Sequence, residues 1–214
     1  MFPAPSFSCI RTAALYGLQA AILTGPETSR RRFWGLDGKQ AAKLALKTRQ
    51  RSSETAVADA VVRRIAVRVR QLSCEIDEID AQLQTITSDL VPELLAECGV
   101  GPVCAAQLVV SSGDPSRMRN EASFAALAGT SPVQASSGQT QRHRLNRGGD
   151  RQLNRALHII ALNRTRRHPQ TAAYYQRLLN EGKTPREARR CVKRQLARYF
   201  HHKLKTTPKL ALTP

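Results

Sequence analysis

From Ala58 to Leu90 an apolar residue recurs at alternating spacings of four and three: Ala58, Val62, Ile65, Val69, Leu72, Ile76, Ile79, Leu83, Ile86 and Leu90. Residues three and four apart share one face of a helix, so this is the seam of a single long helix. A seam kept at seven residues per two turns suits coiled-coil packing. No Pro or Gly interrupts it and Pro92 follows its last member, so propensity agrees with pattern. A helix of roughly 36 residues extends ~54 Å, too long to be buried inside a domain of this size. It needs a partner helix, either in a second copy of the chain or within residues 10–50 of its own.

Charge narrows the partners further. Lys and Arg number 34 against 16 acids, for a net charge of +18. Such an imbalance repels itself in a compact chain unless a polyanion neutralises it, and nucleic acid is the first polyanion to consider. The charge is also segregated: residues 54–97 hold 4 bases and 9 acids, whereas 117–205 hold 20 bases and only Glu121, Asp150, Glu181 and Glu187. The basic surface therefore belongs to the C-terminal half. Phosphate charge alone does not separate DNA from RNA.

Hydrophobic residues make up 41% of the chain, enough for a core. No run approaches the ~20 apolar residues of a membrane span. Near the N-terminus, "RTAALYGLQAAIL" is apolar but carries Arg11, Tyr16 and Gln19 and no small-residue cleavage site follows, so it reads as a helix rather than a signal peptide. The five cysteines, Cys9, Cys74, Cys98, Cys104 and Cys191, are scattered without metal-ligand spacing, which points to reduced thiols and a cytoplasmic protein.

Four segments follow from composition and motif: 1–53 as a linker, 54–92 as the coiled-coil helix, 93–205 as a helical domain and 206–214 as a tail. The fold class expected is all-α, a long coiled-coil helix followed by a domain containing a helix-hairpin-helix. The hairpin is read in "ELLAECGVGPVCAAQLVV", where Gly99 and Gly101 let the backbone turn before a helix whose first N–H groups can cradle a phosphate. A plain helix-helix connection fits the same residues. Asp114 reads as a turn or cap residue, and "ASFAALAG" as a short helix ended by Gly129. Asp150 is placed to cap a helix with Leu153, Leu157, Ile160 and Ala161 inward. A helix closing at Gly182 comes next, then a last one opened by Thr184 and Pro185.

Between the Gly129 and Asp150 helices lies "TSPVQASSGQTQRHRLNRGG". A serine hydroxyl attacks a phosphodiester when a group takes its proton and cations neutralise the charge growing on the phosphoryl oxygens. Arg142, Arg144, Arg147, Arg151 and Arg155 supply cations. His143 and His158 are the base candidates, although a histidine among arginines equally serves as a phosphate donor. Taken alone, Ser136 and Ser137 read equally as a flexible Ser-Gly turn.

The order of the GVGP hairpin, "FAALAGTSPVQASSG", "RHRLNRGGDRQLNRALHIIAL" and "EGKTPREARRCVKRQLAR" resembles the C-terminal domain of insertion-sequence transposases of the Piv/MooV type. The resemblance implies DNA transposition through a composite site, in which a RuvC-like domain binds divalent metal with four acids and a helical domain holds a serine that forms a covalent phosphoserine. It places the nucleophile at Ser136, with Ser137 the alternative, and aligns Arg147, Gly148, Gly149 and Asp150 with a helix-opening motif. It implies DNA as a partner and, in parts of the family, an element-encoded guide RNA. The coiled coil implies a homo-oligomer. Only Glu27 and Asp37 are acidic before residue 54, so no metal site is expected in this chain; Mg²⁺ is expected only with an acidic domain elsewhere, and the chain is expected to be truncated and inactive alone. The reading from a different class is a non-catalytic, dimeric nucleic-acid-binding module.

Overall fold

The computed structural model describes residues 7–47, 55–114, 118–134, 143–144, 146 and 148–207. The long seam forms one helix, α4 (Ala56–Leu90). Three helices precede it: α1 (Phe7–Thr24), α2 (Glu27–Arg32) after the Gly25-Pro26 break, and α3 (Gly38–Lys47). The first of these helices covers the apolar run read as a helix, and all three fall within the stretch named as a possible partner of the long helix or just before it. Leu18, Ile22, Phe33, Ala41, Ala42 and Ala45 close a core over Val62, Ala66 and Val69 of α4. Half of the seam thus finds its partner in its own chain, because the alanines of α3 allow close helix approach. Asp59 of α4 is tied to the same layer, accepting from Ser29 Oγ at 2.9 Å and pairing with Arg32 at 3.4 Å. Towards the C-terminus of α4 the seam stays open to solvent, with Ile79, Ile86 and Leu90 38%, 53% and 41% exposed.

Contacts divide the chain into two compact units, Met1–Ala81 and Gln82–Pro214. The second unit holds α5 (Pro92–Leu95), α6 (Pro102–Ser112), α7 (Glu121–Leu127), α8 (Arg151–Arg167), α9 (Pro169–Asn180) and α10 (Pro185–Thr206). Its strands are two residues each, β1 (Val133–Gln134) and β2 (His143–Arg144), so the chain is all-α as expected. None of its described helices is long and apolar enough to cross a membrane. None of the five cysteines forms a disulfide.

Helix α8 is the axis of this unit, packing on α6, α9 and α10. Leu153, Leu157, Ile160 and Ala161 are fully buried, as their helical spacing requires. Each of the three large side chains contributes about 1.5–3 kcal/mol by burial. Phe124 of α7 and Phe200 of α10 complete the core. The starts of the helices are chemically marked. Asn120, not Asp114, caps α7, its side chain accepting from the Ser123 amide at 2.8 Å. Thr184 and Glu187 form a reciprocal capping box at α10.

One ion pair joins α8 to the segment before α6. Arg164 is 5% exposed; its Nη2 meets Glu97 Oε2 at 2.6 Å and its Nε donates to the Cys98 carbonyl at 2.9 Å. The guanidinium also lies over the Tyr199 ring, 5.0 Å from its centroid. Burial on its own would raise the Glu97 carboxyl, but hydrogen bonds from Tyr199 and Lys203, with the charges of Lys203 and Arg164, bring it below its ordinary value. Glu97→Ala leaves the Arg164 guanidinium buried without its carboxylate, a loss of about 3–5 kcal/mol in urea unfolding. Glu78→Ala, on the exposed face of α4, should stay within about 0.5 kcal/mol of the parent.

Candidate nucleic-acid interface

The serine loop is closed at its base by backbone packed on backbone. Helix α7 ends at Gly129, whose φ of +62° suits glycine. The Thr130 and Ser131 amides turn back to the Ala125 carbonyl at 2.9 and 3.2 Å. On the returning side, a Cβ on Gly149 would sit 2.3 Å from Gly129 N and 2.6 Å from both Gly129 Cα and Leu127 O. Only glycine fits there. The Asp150 amide, next along, donates to Leu127 O at 2.6 Å. Asp150 then caps α8 through Oδ1, which accepts from the Gln152 and Leu153 amides at 2.8 and 3.3 Å, while Oδ2 accepts from Ser111 Oγ at 2.5 Å. Burial would raise its pKa, but these donors bring it below the ordinary value. The glycines and aspartate of "RGGD" are therefore a loop-closing and helix-opening device.

Above this base the two arms pair antiparallel, Val133 with Arg144 and Gln134 with His143. Ser136, Ser137, Arg142 and Arg147 lie outside the described residues. Arg144 belongs to β2, while Arg151 and Arg155 stand on the exposed face of α8. Gly99 and Gly101, read in the sequence as hairpin glycines, behave differently from each other. Gly99, at φ +83°, lies against α8, where a Cβ would meet Asn163 Cβ at 2.9 Å and the Ile160 carbonyl at 3.3 Å. Gly101 has open space around its Cβ position at the start of α6. Packing accounts for the first glycine. The second leaves the start of α6 open.

Beside the loop base is a cavity of about 570 Å³. Pro132 and Asn146, one from each arm of the loop, both line it, and the opposite wall is α10 with the α9–α10 turn. Among the described residues five cations face it: Lys183, Arg190, Lys193, Arg194 and Arg198. Three of them are engaged by carboxylates: Lys183 by Glu181 at 2.7 Å, Arg190 by Glu187 at 3.7 Å and Arg198 by Glu121 at 2.9 Å. Lys193 and Arg194 bind neutral groups instead. Lys193 Nζ donates to Asn154 Oδ1 at 2.8 Å, and Asn154 Nδ2 in turn donates to the Ala128 carbonyl at 2.6 Å. Arg194 Nη1 donates to Ser131 Oγ at 2.9 Å.

Lys193 is 7% exposed, and burial, followed by the charge of Arg190, holds its ammonium below its ordinary pKa. Neither cation was singled out in the sequence. The available signal was a lysine four residues before Ala197 on the apolar face of the last helix, a core position by spacing. His158 is also held below its ordinary value, first by burial and then by Lys193 and Arg189, so its ring is neutral near neutral pH. The acids do not fit a divalent cation: among the described residues no three His, Cys, Asp or Glu side chains converge, and Asp150, Glu97 and Glu121 are committed to caps and ion pairs.

Residues 93–176 match the family model described as Transposase IS116/IS110/IS902 family. Over 137 residues the chain is 32% identical to the Insertion element IS110 uncharacterized 43.6 kDa protein of Streptomyces coelicolor, covering 63% of this chain and 34% of that protein. Over 136 residues it is 31% identical to the Insertion element IS900 uncharacterized 42 kDa protein of Mycobacterium paratuberculosis, covering 62% and 34%. The chain spans about a third of the length of these curated relatives. The likeness is thus to insertion-sequence transposases, and the family match takes in Gly99 and Gly101, α6, α7, the serine loop, α8 and most of α9. Most of the cations facing the cavity stand on α10, beyond the matched residues.

The two loop glycines separate packing from flexibility. Gly149→Ala should lower stability by about 3 kcal/mol or more, because backbone has no way to yield as a side chain does. Gly148→Ala, whose Cβ would meet only Asn146 Oδ1 at 3.4 Å, should change stability by less than about 1 kcal/mol. Thermal unfolding of both variants reads the difference.

Proposed function

We propose that this chain acts in DNA transposition, with residues 93–205 as the DNA-handling domain and Ser136 as the nucleophile. The observation that carries the reading is the serine loop beginning and ending on a basic cavity, within or beside the stretch that matches insertion-sequence transposases. In the reaction proposed, Ser136 Oγ attacks a backbone phosphorus. A phosphorus–Oγ bond forms and the bond from phosphorus to one deoxyribose oxygen breaks. The serine proton leaves to a base and the deoxyribose oxygen departs as a hydroxyl, so the phosphodiester energy is kept in the phosphoserine. Arg142, Arg144 and Arg147 neutralise the phosphoryl oxygens, and Arg151 and Arg155 hold flanking phosphates. Gly99 serves packing, whereas the open start of α6 after Gly101 approaches a backbone phosphate. The Mg²⁺ and the acids that the resemblance implies come, in this reading, from a RuvC-like domain rather than from the residues described above, and an RNA guide rests on the resemblance alone.

We also propose that two copies pair through the C-terminal half of α4. Ile79, Ile86 and Leu90 form an exposed stripe on the seam, and the N-terminal half is already covered by its own chain. Ile79→Asp with Ile86→Asp should turn a dimer into a monomer in sedimentation; a parent chain that is already monomeric at micromolar concentration contradicts this pairing.

The nucleophile is tested with a DNA duplex whose leaving oxygen is replaced by bridging sulfur, which departs without an acid. A covalent adduct lost in Ser136→Ala and kept in Ser137→Ala is expected. The opposite pattern overturns the Ser136 assignment. Binding without any adduct overturns the nucleophile reading and leaves a non-catalytic binding module.

A further inference from the structure

Helix α10 carries two cations, Lys193 and Arg194, whose side chains end on neutral groups at the base of the serine loop, although carboxylates engage the other three cations facing the same cavity. Both are positioned rather than swinging free. Lys193 is fixed by Asn154, which is itself fixed to the Ala128 carbonyl, and Arg194 is fixed by the Ser131 hydroxyl. Neither uses up its donors: an ammonium has three N–H groups and a guanidinium five, and one from each is accounted for here.

A lysine this buried, which among the described residues hydrogen-bonds an amide oxygen rather than a carboxylate, is in an unfavourable setting, since a buried charge is normally offset by an opposite one. Desolvation and the neighbouring Arg190 both work against its charge. An anion in the cavity reverses that balance. The cavity also has the dimensions of a ligand site, about 570 Å³, and both arms of the serine loop reach its rim at Pro132 and Asn146. Tyr174 contributes a further wall, its ring packed against the core and carrying the Arg177 guanidinium 5.2 Å from its centroid.

We propose that this cavity is a binding site for a single DNA backbone phosphate, gripped by Lys193 and Arg194, lying beside the phosphate that the serine attacks. The site rests on the proposed transposase reading for its location next to the nucleophile, but not for its chemistry. Lys193 and Arg194 hold the strand and set its register against the loop; they recognise phosphate and carry no sequence preference. Lys193 donates through its remaining N–H groups as a point charge. Arg194 presents the free edge of its guanidinium to two phosphoryl oxygens, for which its planar fork is suited.

The test uses the full 214-residue chain, a non-specific DNA duplex and a salt titration. Removing one phosphate contact lowers the slope of log affinity against log salt by about 0.9 on duplex DNA. Arg194→Gln, partly exposed, should lose that amount with an unchanged circular dichroism spectrum, and Lys193→Met should lose a similar amount. If Lys193→Met fails to fold, Arg194→Gln decides alone. An unchanged slope in Arg194→Gln overturns the proposal. So does an equal loss in Arg31→Gln, which lies in the other unit, because the effect is then one of net charge only. A loss seen with duplex RNA and not with DNA overturns the choice of polymer. The reading beneath it fails separately: the slope can fall in Arg194→Gln while no serine adduct forms, or the adduct can depend on Ser136 while the slope stays unchanged.

Discussion

The contact of Gly149 with Gly129 is the constraint on which the rest of the C-terminal unit depends. Two backbones touch where no Cβ fits, and the touch fixes both ends of the serine loop. Asp150 is placed by the same closure, so that its amide reaches Leu127 while its carboxylate opens α8 and accepts from Ser111. One turn further on, Asn154 binds the Ala128 carbonyl and orients Lys193. Thus a steric requirement of two glycines passes through a cap and an amide to a cation in the cavity.

Electrostatics then divides the cations of this unit by task. Arg164 spends its charge on Glu97 and its flat face on Tyr199, joining the segment before α6 to α8 and α10. Lys183, Arg190 and Arg198 are matched with carboxylates at the edge of the cavity. Exposed pairs of this kind contribute little to stability, about 0–1 kcal/mol each. They place opposite charge beside three of the cavity's cations, whereas Lys193 and Arg194 end on neutral groups. The long helix shows a similar division, with one half of its seam satisfied by α1 and α3 and the other half open.

Helix starts were legible in the sequence wherever the capping chemistry was local. Thr184 with Glu187 and Asp150 with the following amides need only residues within one turn, and the inward face of α8 follows from spacing alone. The length of the α4 seam called for a partner helix, with residues 10–50 of the same chain one of two candidates, but which residues close over Val62, Ala66 and Val69 is a long-range fact that no local pattern carries. The hairpin glycines looked alike in sequence, yet Gly99 answers to the backbone of α8 and Gly101 does not. The cavity was invisible for the same reason: Pro132, Asn146 and Lys193 are far apart in the chain and meet only through the glycine contact. The arginines of the loop were readable as cations. The two cations that end on neutral groups in the cavity were hidden in the basic run of the last helix.

The central claim is that nucleic acid reaches the C-terminal unit at the base of the serine loop. Photochemical cross-linking of the full chain to bromouracil-substituted DNA, followed by mass spectrometry of the peptides, tests it most directly. Cross-links concentrated in 129–146 and 187–198 are the predicted result. Cross-links confined to residues 7–81, or spread in proportion to exposed lysine and arginine, would contradict the account.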